Sequence, residues 1–129
     1  MAEHNKIGKI GEDIAARFLV KHGFSIVLRN YRTKYGEIDI IAKKDSALHF
    51  VEVKSVKVRN FNELENLRVR PEDNLTSAKL SKIKISIETY LQHKNISETI
   101  LRRISLACVY INTETRQGLV KLVENITLN

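Results

Sequence analysis

With a single cysteine, Cys108, the chain cannot close an internal disulfide, and a lone thiol suits a reducing compartment. Cys108 lies in the apolar run Ala107-Cys108-Val109-Tyr110, where a small buried core residue is expected rather than a nucleophile. No run of about 18 apolar residues is present to span a bilayer. The segment Met1 to Asp13 is charged and lacks the apolar stretch of a secretory signal. A soluble cytoplasmic protein without a membrane partner is expected. No internal repeat and no Pro/Ser-rich linker divides the chain, so residues 1–129 are read as a single domain.

What is present fits a packed domain with a basic surface. Hydrophobic residues make up 43% of the 129, ample for an interior and too many for a disordered chain. The 22 Lys and Arg outnumber the 15 Asp and Glu, giving a formal net charge of +7. Such a balance attracts polyanions and favours nucleic acid or an anionic membrane as a partner.

Ile7, Ile10, Ile14 and Phe18 recur at helical spacing, with Gly11, Ala15 and Leu19 widening the stripe, and Gly23 is a natural cap after Lys21-His22. Strand-like runs follow at Phe24 to Tyr31, Glu37 to Lys43 and Leu48 to Ser55. From Val56 to Asn74 the pattern dissolves into a polar stretch containing Pro71, a long connection of the kind that is often functional. A second amphipathic helix is predicted from about Ser77 to His93, then strands at Ile104 to Ile111 and Leu119 to Ile126. Helix, three strands, helix and two strands suggest one sheet flanked by helices.

The chemistry gathers on the second and third strands. Along Glu37-Ile38-Asp39-Ile40 the acids share one face, and along Val51-Glu52-Val53-Lys54 the two charges lie opposite the valines. A hairpin turn centred on Asp45-Ser46 places Asp39 directly across from Glu52 and Glu37 across from Lys54. The isoleucines and valines would then all face the other way, into a core. Two directly opposed carboxylates repel unless something positive lies between them. A divalent cation fits, since Mg²⁺ favours one or two carboxylates with water and a phosphate oxygen. Lys54 lies within reach, to position an attacking water or offset developing negative charge. The bland alternative is a set of cross-strand ion pairs on a solvated face. Glu12 falls roughly 20° outside the apolar stripe of the first helix, where it either leans over the sheet or lies on a solvated flank.

The ordered set Gly11-Glu12-x-x-Ala15, Gly23-Phe24, Arg29-Asn30-Tyr31-Arg32, Gly36-Glu37-Ile38-Asp39-Ile40-Ile41-Ala42 and Phe50-Val51-Glu52-Val53-Lys54 resembles the YraN-like family of uncharacterised bacterial proteins. The likeness continues through Pro71-Glu72 and Leu75-Thr76, and so covers nearly the whole chain. It places the chain near the PD-(D/E)XK nuclease superfamily and near archaeal Holliday-junction resolvases. It implies an α/β fold with a restriction-endonuclease-like αβββαβ core, a mixed central sheet flanked by helices. By the same resemblance, Asp39 and Glu52 are the metal-binding acids, Lys54 the catalytic lysine and Glu12 the helix glutamate of the resolvase-like branch. Two departures stand out: Val56 occupies a position where relatives commonly carry arginine, and Ile104-Ser105-Leu106 replaces a frequent Phe-Asp-Val. Neither touches the proposed ligands.

The expected activity is Mg²⁺- or Mn²⁺-dependent endonucleolytic hydrolysis of DNA, with branched or structured DNA as the suggested form. The alternative is a nucleic-acid-binding module that keeps the fold without catalysis. Arg29, Arg32, Lys34, Lys57 and Arg59 flank the acidic strands and are the candidate backbone contacts, with Arg68, Arg70, Lys79, Lys82 and Lys84 further along the chain. For any one of them, ordinary solvated charge is the bland reading. A homodimer would suit an enzyme cutting two strands, but no surface in the sequence marks one.

Overall fold

The computed structural model describes residues 2–62 and 75–126. Arg68, Arg70, the pair Pro71-Glu72 and most of the polar connection lie outside the described residues. Seven elements run in the order α1 (Ala2–Lys21), β1 (Ser25–Thr33), β2 (Gly36–Lys44), β3 (Ala47–Val58), α2 (Ser77–His93), β4 (Leu101–Asn112) and β5 (Gly118–Val123). The strands form one five-stranded sheet in sequential order, with β3 and β4 parallel and every other pair antiparallel. A parallel pair needs a crossover, and α2 lies in the connection between β3 and β4. The first six elements reproduce the expected αβββαβ order, and β5 adds an edge strand.

Local chemistry sets the boundaries. α1 ends at Gly23 (φ 90°), with the Gly23 amide bonded to the Val20 carbonyl and the Phe24 amide to the Leu19 carbonyl, a Schellman cap. The β2–β3 hairpin turns on Asp45 and Ser46, whose φ values of 50° and 64° lie in the left-handed region that a type I′ two-residue turn requires to match the right-handed twist of the strands. α2 begins after Thr76, whose hydroxyl accepts from the Lys79 amide at 3.2 Å.

Each face of the sheet is covered by a helix. Ala15 and Leu19 of α1 pack with Ile40, Ala42, Val51, Ala107 and Val109. On the other side Leu80, Ile83, Ile87, Tyr90 and Leu91 of α2 pack with Ile38, Ile41, Leu48 and Phe50. The expectation that the isoleucines and valines of β2 and β3 all face one core is therefore corrected: Ile38 joins the α2 side, whereas Ile40 and Val51 join the α1 side. Residues two apart share a face in a regular strand, so the pleat breaks at Asp39, whose opposite residue Asn30 is left-handed (φ 57°) and drops out of the β1–β2 ladder. Cys108 is fully buried in a third cluster with Leu106 and Tyr110, as its apolar run implied.

Candidate active site

The β2–β3 hairpin holds the register expected from its turn, pairing Lys44 with Ala47 through to Ile40 with Val51. There the ladder stops. Beyond it, β2 remains paired to β1 as far as Gly36, and β3 remains paired to β4 as far as Val58. The sheet forks between β2 and β3, and Asp39 and Glu52 are the first residues of its two arms. The Val53 amide donates to Asp39 Oδ2 at 2.7 Å. Asp39 and Glu52 thus stand at an opening rather than across a paired rung, and the charge of Asp39 bears on Glu52.

Both carboxyls sit in an environment that resists charge. Burial is the main reason the Asp39 carboxyl is raised to about 6; the Val53 amide works against the rise, and the charges of Glu12 and Glu37 add to it. Burial is again first for Glu52, raised to about 8, followed by the charge of Asp39. The Oε1 atom of Glu52 is buried without a hydrogen-bond partner among the described residues. An orphaned carboxylate oxygen beside a second dehydrated acid is a donor set that suits a hard dication. Among the described residues no three His, Cys, Asp or Glu side chains are grouped to ligate a metal together. A cation held here would take two protein carboxylates, with water and substrate oxygens completing its shell.

Glu12 reaches the same region from α1 and is fixed by neighbours on β1. Its Oε1 accepts from Arg29 Nε at 3.1 Å and from Asn30 Nδ2 at 3.0 Å. Arg29 also bonds Asp13 at 2.7 Å, so this guanidinium ties α1 to β1. Gly11 brings α1 close enough for this contact. A Cβ there would stand 1.8 Å from Ser55 Oγ and 2.9 Å from Ser55 Cβ, so only glycine admits the observed approach of α1 to β3.

Two clefts open beside the acid pair and share Val53 and Lys54. One, of about 380 Å³, is lined by Glu12, Asp39, Lys54, Ser55 and Lys57. The other, of about 240 Å³, is lined by Glu37, Glu52 and Lys54 together with Lys79 and Lys82 of α2. Lys54 is exposed and belongs to both. The structure thus gathers Glu12, Asp39, Glu52 and Lys54 in one region, with Lys57 beside them. The remaining basic residues are dispersed. Arg29 is committed to Glu12 and Asp13, and Arg32 lies 3.6 Å from Glu37. Lys34 extends over the Tyr35 ring, Arg59 is exposed just beyond β3, and Lys84 lines a different cleft.

Two contributors escaped the reading of the sequence. Asn30 adopts φ 57° within β1 and holds Glu12. Its signals are an asparagine inside an otherwise strand-like run, tolerant of the left-handed region, and its place in the Arg29-Asn30-Tyr31-Arg32 motif. Gly11 had been read as part of the apolar stripe, although a glycine inside a helical pattern points to close backbone approach.

Comparison with known proteins adds family membership. Residues 11–120 match the uncharacterised protein family UPF0102. A UPF0102 protein of Campylobacter jejuni is 40% identical over 120 residues, covering 93% of this chain and 92% of its own. Relatives from Campylobacter hominis and Caldicellulosiruptor bescii are 38% and 34% identical, each over at least 90% of both chains. The chain belongs to UPF0102, the YraN-like family that its ordered motifs resemble.

Proposed function

We propose that this protein is a metal-dependent endonuclease that hydrolyses phosphodiester bonds in DNA, with the sheet fork as its active site. The observation that carries this reading is the acid pair itself: two dehydrated carboxylates, one with an orphaned oxygen, opposed where the sheet parts. Asp39 and Glu52 would hold Mg²⁺ or Mn²⁺, which when bound lowers the pKa of a coordinated water and stabilises charge on a phosphate. Lys54, reaching both clefts, orients the attacking water and offsets charge on the phosphate oxygens. Glu12, anchored by Arg29 and Asn30, presents a fixed negative charge beside Asp39 and accepts hydrogen bonds from water there. Lys57, Lys79 and Lys82 approach the pair from two sides and hold the nucleic-acid backbone.

A cytoplasmic setting agrees with the lone buried thiol. Among the described residues no helix is long and apolar enough to cross a membrane. A homodimer would bring two such sites to paired strands.

The test is Mn²⁺-dependent cleavage of a panel of duplex, single-stranded and branched DNA. Asp39→Ala should lower cleavage by roughly 100-fold or more, and Lys54→Ala by a comparable factor, while folding is retained. One observation favours a second reading, a binding module without catalysis: among the described residues no three ligating side chains are grouped. In that case native protein binds DNA, cleaves none of the panel, and Asp39→Ala binds at least as well.

A further inference from the structure

The cleft on the α2 side of the acid pair has walls that phosphodiester hydrolysis alone does not need. Leu75, Ile83, Leu106 and Val53 make it largely apolar, Lys79 and Lys82 bring cations from α2, and Glu52 reaches it from the fork. At about 240 Å³ it falls below the roughly 300–1,000 Å³ typical of drug-sized ligand sites. Tyr35 lines it from the β1–β2 turn, with its side chain partly exposed. That turn is pinned: Thr33 Oγ1 accepts from the Tyr35 amide at 3.0 Å and lies 3.0 Å from Ser86 Oγ on α2. The aromatic ring is therefore carried by a turn anchored to the helix that supplies the lysines.

Charge alone would suffice to hold a duplex backbone, and an apolar pocket alone would suit a neutral ligand. A ligand that uses both has a flat apolar body joined to an anion, which describes a nucleotide. Its base is free to enter only when it is not stacked in a duplex. Resting on the nuclease reading above, we propose that this cleft receives an unpaired nucleotide adjacent to the phosphate under attack. The base packs on Tyr35 and the apolar wall, and its phosphate meets Lys79 and Lys82. The site thereby selects nucleic acid with a splayed or single-stranded segment at the point of cleavage.

The experiment is fluorescence anisotropy in Ca²⁺, using a labelled duplex and the same duplex carrying a single-stranded arm. Native protein should bind the arm-bearing DNA roughly tenfold more tightly. Tyr35→Ala should remove at least about fivefold of that preference, Tyr35→Phe should retain it, and neither should alter binding to plain duplex. Lys82→Glu should weaken the arm-bearing complex more than the duplex complex. Equal affinity of native protein for the two DNAs overturns the assignment, as does a preference that Tyr35→Ala leaves intact. Calorimetric Mn²⁺ binding separates the two readings. Mn²⁺ binding with equal DNA affinities removes the nucleotide cleft alone, whereas absence of both metal and DNA binding removes the nuclease reading with it.

Discussion

At the scale of single residues, the cost of the acid pair is visible in its proton affinity. A carboxyl raised in the folded state binds protons more tightly there than in the unfolded chain. The metal-free fold is therefore favoured below the ordinary values of 3.8 and 4.5 and loses that advantage as pH rises through about 6 and about 8. Glu52→Gln removes one charge from the burial and repulsion that cause this. Thermal melts in EDTA should show the variant more stable than native protein at pH 8, by on the order of 1–3 kcal/mol, with the gap closing towards pH 4. Native protein that is as stable at pH 8 as its variant would mean that the pair is not strained. Asp39, Glu52 and Lys54 were legible in the sequence because they stand at matched distances from the Asp45-Ser46 turn, which sets the hairpin register. The ties of Arg29 to Glu12 and Asp13 were not, because they join residues on different elements whose mutual orientation no local pattern encodes.

At the scale of elements, the site depends on how closely α1 sits on β3. Gly11→Ala places a methyl group against Ser55, and the helix must retreat or the serine must move. Overpacking of this kind destabilises by about 1–3 kcal/mol, read as a fall of several degrees in the melting temperature. Ser55→Gly in the same chain should restore most of the loss, because it deletes both atoms that the new methyl meets. The second helix and the Asp45-Ser46 turn were readable because helical periodicity and hairpin residues act locally. The fork was not. The hairpin register is set by the turn, but where its ladder ends is decided by the neighbours of β2 and β3 on their outer edges. The one-sided core that the sequence suggested fails because the pleat breaks at Asp39 opposite the left-handed Asn30, which regular alternation does not foresee.

At the scale of the whole molecule, a basic chain places its acids where they are least stable alone. The net charge of +7 draws polyanions towards the protein, while the fork opposes two buried carboxyls whose charge a proton or a cation would relieve. A dication held there would relieve that repulsion without reference to a substrate, and a ligand that binds only the folded state stabilises it by mass action. The most direct test is a calorimetric titration of Mn²⁺ into native protein at pH 8, with Asp39→Ala titrated beside it. The account predicts a saturable binding event, accompanied by proton release, that disappears in the variant. No binding to native protein at millimolar Mn²⁺, or equal binding by native protein and Asp39→Ala, would contradict it.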